Sequence, residues 1–117
     1  MRELSAENSQ HRYRIDKFKV PPASREEFLK GVRDTQSFLA TLPGFIRNAL
    51  FEQSSGTGVF NFITMVESES AEAIERVAKA ATARFEATGF NPQVTRARLG
   101  IKADVAIYRE TPTAALE

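Results

Sequence analysis

The sequence contains no cysteine and no tryptophan, and it has a single histidine, His11, among 117 residues. Without cysteine there is no disulfide, no thiolate ligand for a metal and no cysteine nucleophile. Zinc sites usually combine several histidine or cysteine ligands, so one histidine argues against such a site. We therefore expect no metal site in this chain.

Long apolar runs and blocks of like charge are also missing. No apolar segment approaches the roughly 20 residues that a membrane-spanning helix needs, and the first nine residues are too polar for a signal peptide. The formal net charge of +1 gives no general attraction to nucleic acid or to an acidic membrane surface. These absences predict a cytoplasmic protein that binds neither nucleic acid nor membranes.

The composition is that of an ordinary globular domain, with 42% hydrophobic and 26% charged residues. A chain of this length is large enough for one core and too small for two. We predict a disordered arm at residues 1–10, a single domain at 11–110 and a tail at 111–117.

Runs of strand-forming residues and of residues at helical spacing alternate along the chain. Strands are predicted at 11–20, 45–53, 59–66 and 103–110, and helices are predicted to follow Ser24, either Ser68 or Ser70, and Asn91. This order predicts the α+β class, as a ferredoxin-like split β-α-β-β-α-β fold. Its antiparallel four-stranded sheet would carry both long helices on one face.

Two local patterns make sharper predictions. In the first strand the apolar residues change from odd to even numbers, which predicts a β-bulge within Ile15–Phe18. Ser24 and Glu27 have the spacing of a capping box, in which each side chain satisfies a backbone N–H of the other residue.

The central hairpin is apolar on both faces, which is unusual for an antiparallel pair with one face in water. Its second strand places Val59, Ile63 and Met65 on one face and Phe60, Phe62 and Val66 on the other. The helices can cover one of these rows, and an identical sheet related by a two-fold axis can cover the other. The sequence therefore predicts a homodimer, without telling which row faces the partner.

Two segments carry a family likeness: Leu42-Pro-Gly-Phe45 after the first helix, and Thr64-Met-Val-Glu-Ser-Glu-Ser70 leading into the second. They resemble the antibiotic biosynthesis monooxygenase (ABM) domain of the dimeric α+β barrel superfamily, over roughly residues 11–110. The resemblance implies that two sheets pack face to face. It assigns Asn61, Ile63 and Met65 to that interface.

The resemblance also bears on cofactors. Haem-degrading relatives commonly have tryptophan where this chain has Val66, a histidine on the second long helix where it has none, and a first-strand asparagine near Asp16. None of these three positions matches, so we expect no haem and no other cofactor.

The function implied by the resemblance is a cofactor-independent monooxygenase acting on a small aromatic or quinone-like compound. The alternative is a non-catalytic dimeric barrel protein that binds a small ligand or has a structural role. The pocket predicted between helices and sheet comprises Asp16, Phe28, Phe62, Thr64, Val66 and Tyr108, with the catalytic residues left open.

Each polar residue near this pocket also has an ordinary structural explanation. A Thr64 hydroxyl bonded to the backbone is expected in preference to a catalytic one. His11 is expected to be exposed, and Arg47 to be solvated or ion-paired. Asn61 is expected to form a hydrogen bond across the dimer interface.

Overall fold

The structure, a computed structural model, describes residues 9–112. Its strands are β1 (Arg12–Lys19), β2 (Phe45–Glu52), β3 (Phe62–Ser68) and β4 (Lys102–Tyr108), and its helices are α1 (Arg25–Leu39), α2 (Ala71–Thr88) and α3 (Pro92–Leu99). A 3₁₀ turn at Pro22–Ser24 precedes α1. Most of the predicted arm and tail, residues 1–8 and 113–117, lies outside the described residues.

The four strands form one sheet in the order β2-β3-β1-β4, and every neighbouring pair is antiparallel. This is the strand order of the split β-α-β-β-α-β fold, which confirms the predicted fold class. No helix within residues 9–112 is long and apolar enough to cross a membrane.

The predicted bulge in β1 is wrong. The strand pairs without a break with β3 from Arg12 to Phe18 and with β4 from Tyr13 to Lys19. The apolar phase changes because Tyr13 and Ile15 lie on one face of the sheet and Phe18 on the other. The irregularity falls instead in β2, between Phe45 and Arg47.

Both long helices cover the same face, which we call the helix side. Phe28 of α1 packs its ring 5.0 Å from both Phe18 and Phe62, measured between centroids. At the other end of this face, Val77 of α2 packs against Val66. Burying each such side chain stabilises the fold by about 1.5–3 kcal/mol.

The opposite face, which we call the outer face, consists of three rows that run across the strands. From one end of the sheet to the other, the rows are Phe51-Ile63-Lys17-Asp104, then Ala49-Met65-Ile15-Ala106, then Arg47-Glu67-Tyr13-Tyr108. Apolar residues dominate the first two rows on the β2 and β3 side, whereas the third row is polar.

Local signals set the helix boundaries. The Ser70 hydroxyl caps α2 by accepting a hydrogen bond from the Ala73 N–H at 3.1 Å, and Asn91 caps α3. The predicted capping box at Ser24 is wrong. The Ser24 hydroxyl is buried and donates to the Leu99 carbonyl at 2.7 Å, so it ties the start of α1 to the end of α3.

The hairpin loop is longer than predicted because Val59 and Phe60 lie outside β3. Asn61 ends the loop and holds it against the end of β1. Its side-chain oxygen accepts from the Val20 N–H at 2.8 Å and its amide donates to the Val20 carbonyl at 2.9 Å. Asn61 thus forms two bonds within the chain, and its predicted bond across a dimer interface stays a prediction.

Candidate functional site

The structure places five of the six predicted pocket residues together on the helix side. Asp16, Phe62, Thr64 and Val66 share this face of β1 and β3, and Phe28 reaches it from α1. Tyr108 is the exception, because it pairs with Tyr13 on the outer face. Its inclusion in the helix-side pocket was wrong, since the register of β4 turns Val105 and Ile107 toward the helices.

Aromatic packing closes one end of the helix side. Phe18, Phe28 and Phe62 are all buried there, together with Val20 and Leu29. Val66 is buried in the second core, at the opposite end of this face. These residues form the walls on either side of a polar centre.

That centre is the pair Asp16 and Thr64, which lie directly opposite each other in the β1–β3 ladder. Thr64 is half-buried, and its hydroxyl has no hydrogen-bond partner within residues 9–112. The predicted bond from this hydroxyl to the backbone is therefore not observed. A spare hydroxyl in an apolar wall leaves a donor and an acceptor for a ligand.

Arg14 completes the polar centre and was not singled out from the sequence. Its Nε donates to Asp16 Oδ1 at 3.0 Å and its Nη2 donates to Oδ2 at 3.4 Å. The Asp16 side chain is 18% exposed and that of Arg14 is 40% exposed. The sequence alone could have indicated this pair, because residues two positions apart on a strand lie on the same face.

An apolar edge flanks the ion pair. In the β1–β4 ladder Val105 lies opposite Asp16 and Ile107 lies opposite Arg14. These two side chains are 43% and 55% exposed, although they lie on the side of the sheet that carries the helices. We use the name helix-side groove for this set of residues, which forms a polar strip of the sheet beside an exposed apolar edge: Arg14, Asp16, Thr64, Val105 and Ile107.

On the other side of Thr64, α1 and β2 are fastened together by two side-chain amides. The Asn48 amide donates to the Gln36 carbonyl at 3.2 Å, and the Gln36 amide donates to the Ala49 carbonyl at 3.0 Å. This clamp fixes the distance of α1 from the sheet beside the groove.

A second polar cluster lies in the third row of the outer face, around the buried Glu67. Its Oε1 accepts from Arg47 Nε at 3.0 Å, and its Oε2 lies 2.6 Å from His11 Nδ1. Burial alone would raise the pKa of the Glu67 carboxyl, but hydrogen bonds from His11, Arg47 and Tyr13 outweigh burial and hold the pKa below its usual range.

Two sequence expectations are settled by this cluster. The expected exposure of His11 is wrong: its side chain is 14% exposed and pairs with a residue 56 positions away, which no local pattern reveals. Arg47 is ion-paired, as expected.

Comparisons with solved structures place the fold among ABM-type proteins. A proposed monooxygenase from Shewanella loihica PV-4 superposes with a TM-score of 0.69 at 21% identity, covering 90% of this chain and 98% of that one. A proposed antibiotic biosynthesis monooxygenase from Nitrosomonas europaea gives 0.66 at 13% identity, over 87% and 91%. SnoaB, a cofactor-independent oxygenase from Streptomyces nogalater, gives 0.62 at 23% identity, over 89% and 96%.

These similarities confirm the ABM resemblance at the level of the fold: the chain is an ABM-like α+β domain. No family model and no curated protein matches the sequence. At these identities the similarity shows the fold alone, and the activity depends on the chain's own side chains.

Proposed function

We propose that the chain is a cofactor-independent monooxygenase that acts on a small aromatic or quinone-like compound in the helix-side groove. The observation that carries this proposal is the half-buried Thr64 hydroxyl, which has no partner within residues 9–112, beside the Arg14–Asp16 ion pair. Polar groups that converge next to exposed apolar surface are what a small aromatic ligand needs. The likeness to SnoaB supports the same class of chemistry.

In such a reaction the enol form of the substrate loses a proton, and the resulting anion transfers one electron to O₂. The two radicals combine into a peroxide, which loses water and leaves a carbonyl where the substrate had a CH₂ group. The atoms balance as one O₂ consumed, one carbonyl oxygen gained and one water released. The protein needs only to accept the first proton and to stabilise the anion.

The groove supplies both requirements. The Asp16 carboxylate is the proton acceptor, and Arg14 together with the Thr64 hydroxyl donates hydrogen bonds to the oxygen that becomes anionic. Val105 and Ile107 provide the apolar surface on which a ring lies. A ring bound on these two side chains would displace water from that side of the anion, which strengthens the hydrogen bonds to the anion.

Anthrone is a suitable probe, since its enol is a phenol and its oxygenation gives anthraquinone. We expect oxygen uptake and anthraquinone formation above the uncatalysed rate, and a loss of about 100-fold in Asp16→Asn, the usual effect of removing a general base. The control is Asp104→Asn, which alters an exposed acid on the outer face. Equal losses in both variants, or none in Asp16→Asn, would contradict the role of Asp16.

A non-catalytic ligand-binding role is the second candidate, and the packing of Phe18, Phe28 and Phe62 favours it by filling one end of the helix side. The two functions differ in one measurement. If anthrone raises the melting temperature of the wild type but not of Thr64→Asn, while no anthraquinone forms, the groove binds without catalysing.

We further propose that the outer face packs against a second copy of the chain. Phe51 is 55% exposed there and Ile63 is half-buried beside it, whereas Met65 of the next row is already buried within the chain. The small residues Ala49 and Ala106 in the same row as Met65 allow a second sheet to approach closely. Asn61 belongs to the same proposed interface, and its bonds to Val20 leave its amide one further N–H donor.

Ile63→Lys tests the dimer by placing a charge in the proposed interface. We expect light scattering to show dimers for the wild type and monomers for the variant at micromolar concentration. Val94→Lys is the matched control, since Val94 is an exposed apolar residue on α3. A wild type that is monomeric, with a cooperative melt, would contradict the proposal.

A further inference from the structure

The third row of the outer face borders an open cleft of about 580 Å³ that the proposed oxygenase reaction does not use. Seven residues line it: Tyr13, Ile15, Arg47, Glu67, Tyr108, Arg109 and Glu110. The cleft and the helix-side groove lie on opposite faces of β1. A ligand bound in the cleft would therefore not contact the helix-side groove.

The acceptor groups in this cleft are already engaged. Both carboxylate oxygens of Glu67 are hydrogen-bonded, one to Arg47 and one to His11. Glu110 also takes part in an interaction. The charge of Glu67 is therefore already balanced by donors of this chain.

The donors, in contrast, have spare capacity. Arg109 forms no hydrogen bond or ion pair within residues 9–112. Arg47 uses only its Nε toward Glu67, so both of its terminal nitrogens keep their N–H groups, and its side chain is 60% exposed. Two guanidinium groups with free N–H donors are suited to a carboxylate, which matches their planar fork.

The aromatic character of the cleft comes from two tyrosines. Tyr13 and Tyr108 lie directly opposite each other in the β1–β4 ladder, and Ile15 follows Tyr13 on the same face. Side chains paired this way are about 5 Å apart at their Cβ atoms, close enough to present one continuous surface to a flat ring. Tyr108 is 43% exposed, which leaves ring surface for a contact.

We propose that this cleft binds an aromatic carboxylate, with the carboxylate on Arg109 and the ring against Tyr13 and Tyr108, while Arg47 adds positive charge on the far side of the cleft. The site borders the proposed dimer interface, because Ile15 lies in the same row as Met65 and also lines the cleft. Successive rows on one face are about 7 Å apart, so the tyrosine row lies about 14 Å from the row of Phe51 and Ile63. It forms the rim of the surface that a second copy would cover.

The chain offers a selective probe of this site. It has two tyrosines and no tryptophan, and both tyrosines line the cleft. In protein labelled with 3-fluorotyrosine, the two fluorine resonances therefore report on this cleft alone. We expect titration with benzoate to shift both resonances saturably, and benzamide and acetate at the same concentrations to shift them little.

Arg109→Ala should weaken benzoate binding about ten-fold, the effect of losing one charge-assisted contact. Arg33→Ala, which removes an exposed arginine from α1, should leave it unchanged. An unchanged circular dichroism spectrum and melting temperature show that each variant is folded.

Three outcomes would overturn the proposal. One is the absence of saturable shifts with benzoate. Another is equal binding of benzamide or acetate, which would mean that ring and charge are not recognised together. The third is an equal effect of Arg109→Ala and Arg33→Ala. Each can occur whether or not the chain oxygenates anthrone, so this test is independent of the proposed function.

Discussion

Replacing Gly44 with alanine should be one of the most costly single changes in the chain. Gly44 joins α1 to β2 with a φ of +81°, a backbone conformation that side chains disfavour. A Cβ atom there would lie 2.7 Å from the Cβ of Ala73, which is fully buried on α2. The substitution therefore strains the backbone and also pushes α2 away from the sheet.

The two costs can be estimated separately. The left-handed backbone costs an L-residue about 1–2 kcal/mol, and overpacking a tight contact costs about 1–3 kcal/mol. Together they lower the free energy of unfolding by about 3 kcal/mol. At about 4 °C per kcal/mol for a domain of this size, the melting temperature should fall by about 12 °C. Urea and thermal unfolding followed by circular dichroism measure both quantities.

Two other glycines serve as matched controls. Gly89 has a φ of +73° but open space where a Cβ would lie, so Gly89→Ala carries the backbone cost alone. Gly31 lies inside α1 with nothing within 4 Å of a Cβ, so Gly31→Ala should stabilise the protein by about 0.5–1 kcal/mol.

The decisive comparison is between Gly44→Ala and Gly89→Ala. If the two cost the same, the close approach of Ala73 to Gly44 is not present in solution. Adding Ala73→Gly to Gly44→Ala removes the clash, and should make the combined loss smaller than the sum of the two single losses.

Three further predictions concern buried polar groups. Hydrogen bonds lower the folded-state pKa of Glu67, so its charge stabilises the fold at pH values above its unfolded pKa of about 4.3. The free energy of unfolding of the wild type should therefore exceed that of Glu67→Gln by about 2 kcal/mol at about pH 6, and this difference should shrink as the pH falls below about 4.3 and through the folded pKa; a difference that stays constant in urea unfolding would contradict this. Ser68 is fully buried and its hydroxyl has no partner in the described chain, so Ser68→Ala should stabilise by about 1 kcal/mol in the same assay, and a loss would reveal a missing partner. Asn61→Ala removes both bonds to Val20 and should cost about 2 kcal/mol, with Asn61→Asp intermediate because it keeps the acceptor; equal stability of all three proteins would contradict this.

The helix ends could be predicted from the sequence, because they depend on residues only a few positions apart. Ser70, Asn91 and Gly100 all occur at helix ends, because a cap satisfies backbone groups only a few residues away. The Ser24–Glu27 capping box failed although its spacing was right. The Ser24 hydroxyl binds Leu99 instead, and a competing partner 75 positions away cannot be read from local spacing.

The candidate sites could be predicted only in part, because the face of a residue depends on strand register. Asp16 and Thr64 were both assigned to the pocket, and they are in fact paired. Tyr108 was assigned to the wrong face because β4 carries apolar residues at odd and even positions alike. With either the odd or the even positions toward the helices, β4 would place apolar side chains on the helix side. Only the pairing of Tyr108 with Tyr13 decides between these two arrangements.

Side chains of β1 alternate between the two faces of the sheet, and this alternation explains both the missing bulge and the separation of the two proposed sites. A strand with one solvated face needs a bulge to accommodate a change of apolar phase, but a strand that uses both faces does not. Successive residues of β1 serve different sites: Tyr13 and Ile15 line the outer cleft, while Arg14 and Asp16 form the floor of the helix-side groove. The sheet itself separates the two sites, so a ligand in the outer cleft cannot contact the groups proposed for oxygenation.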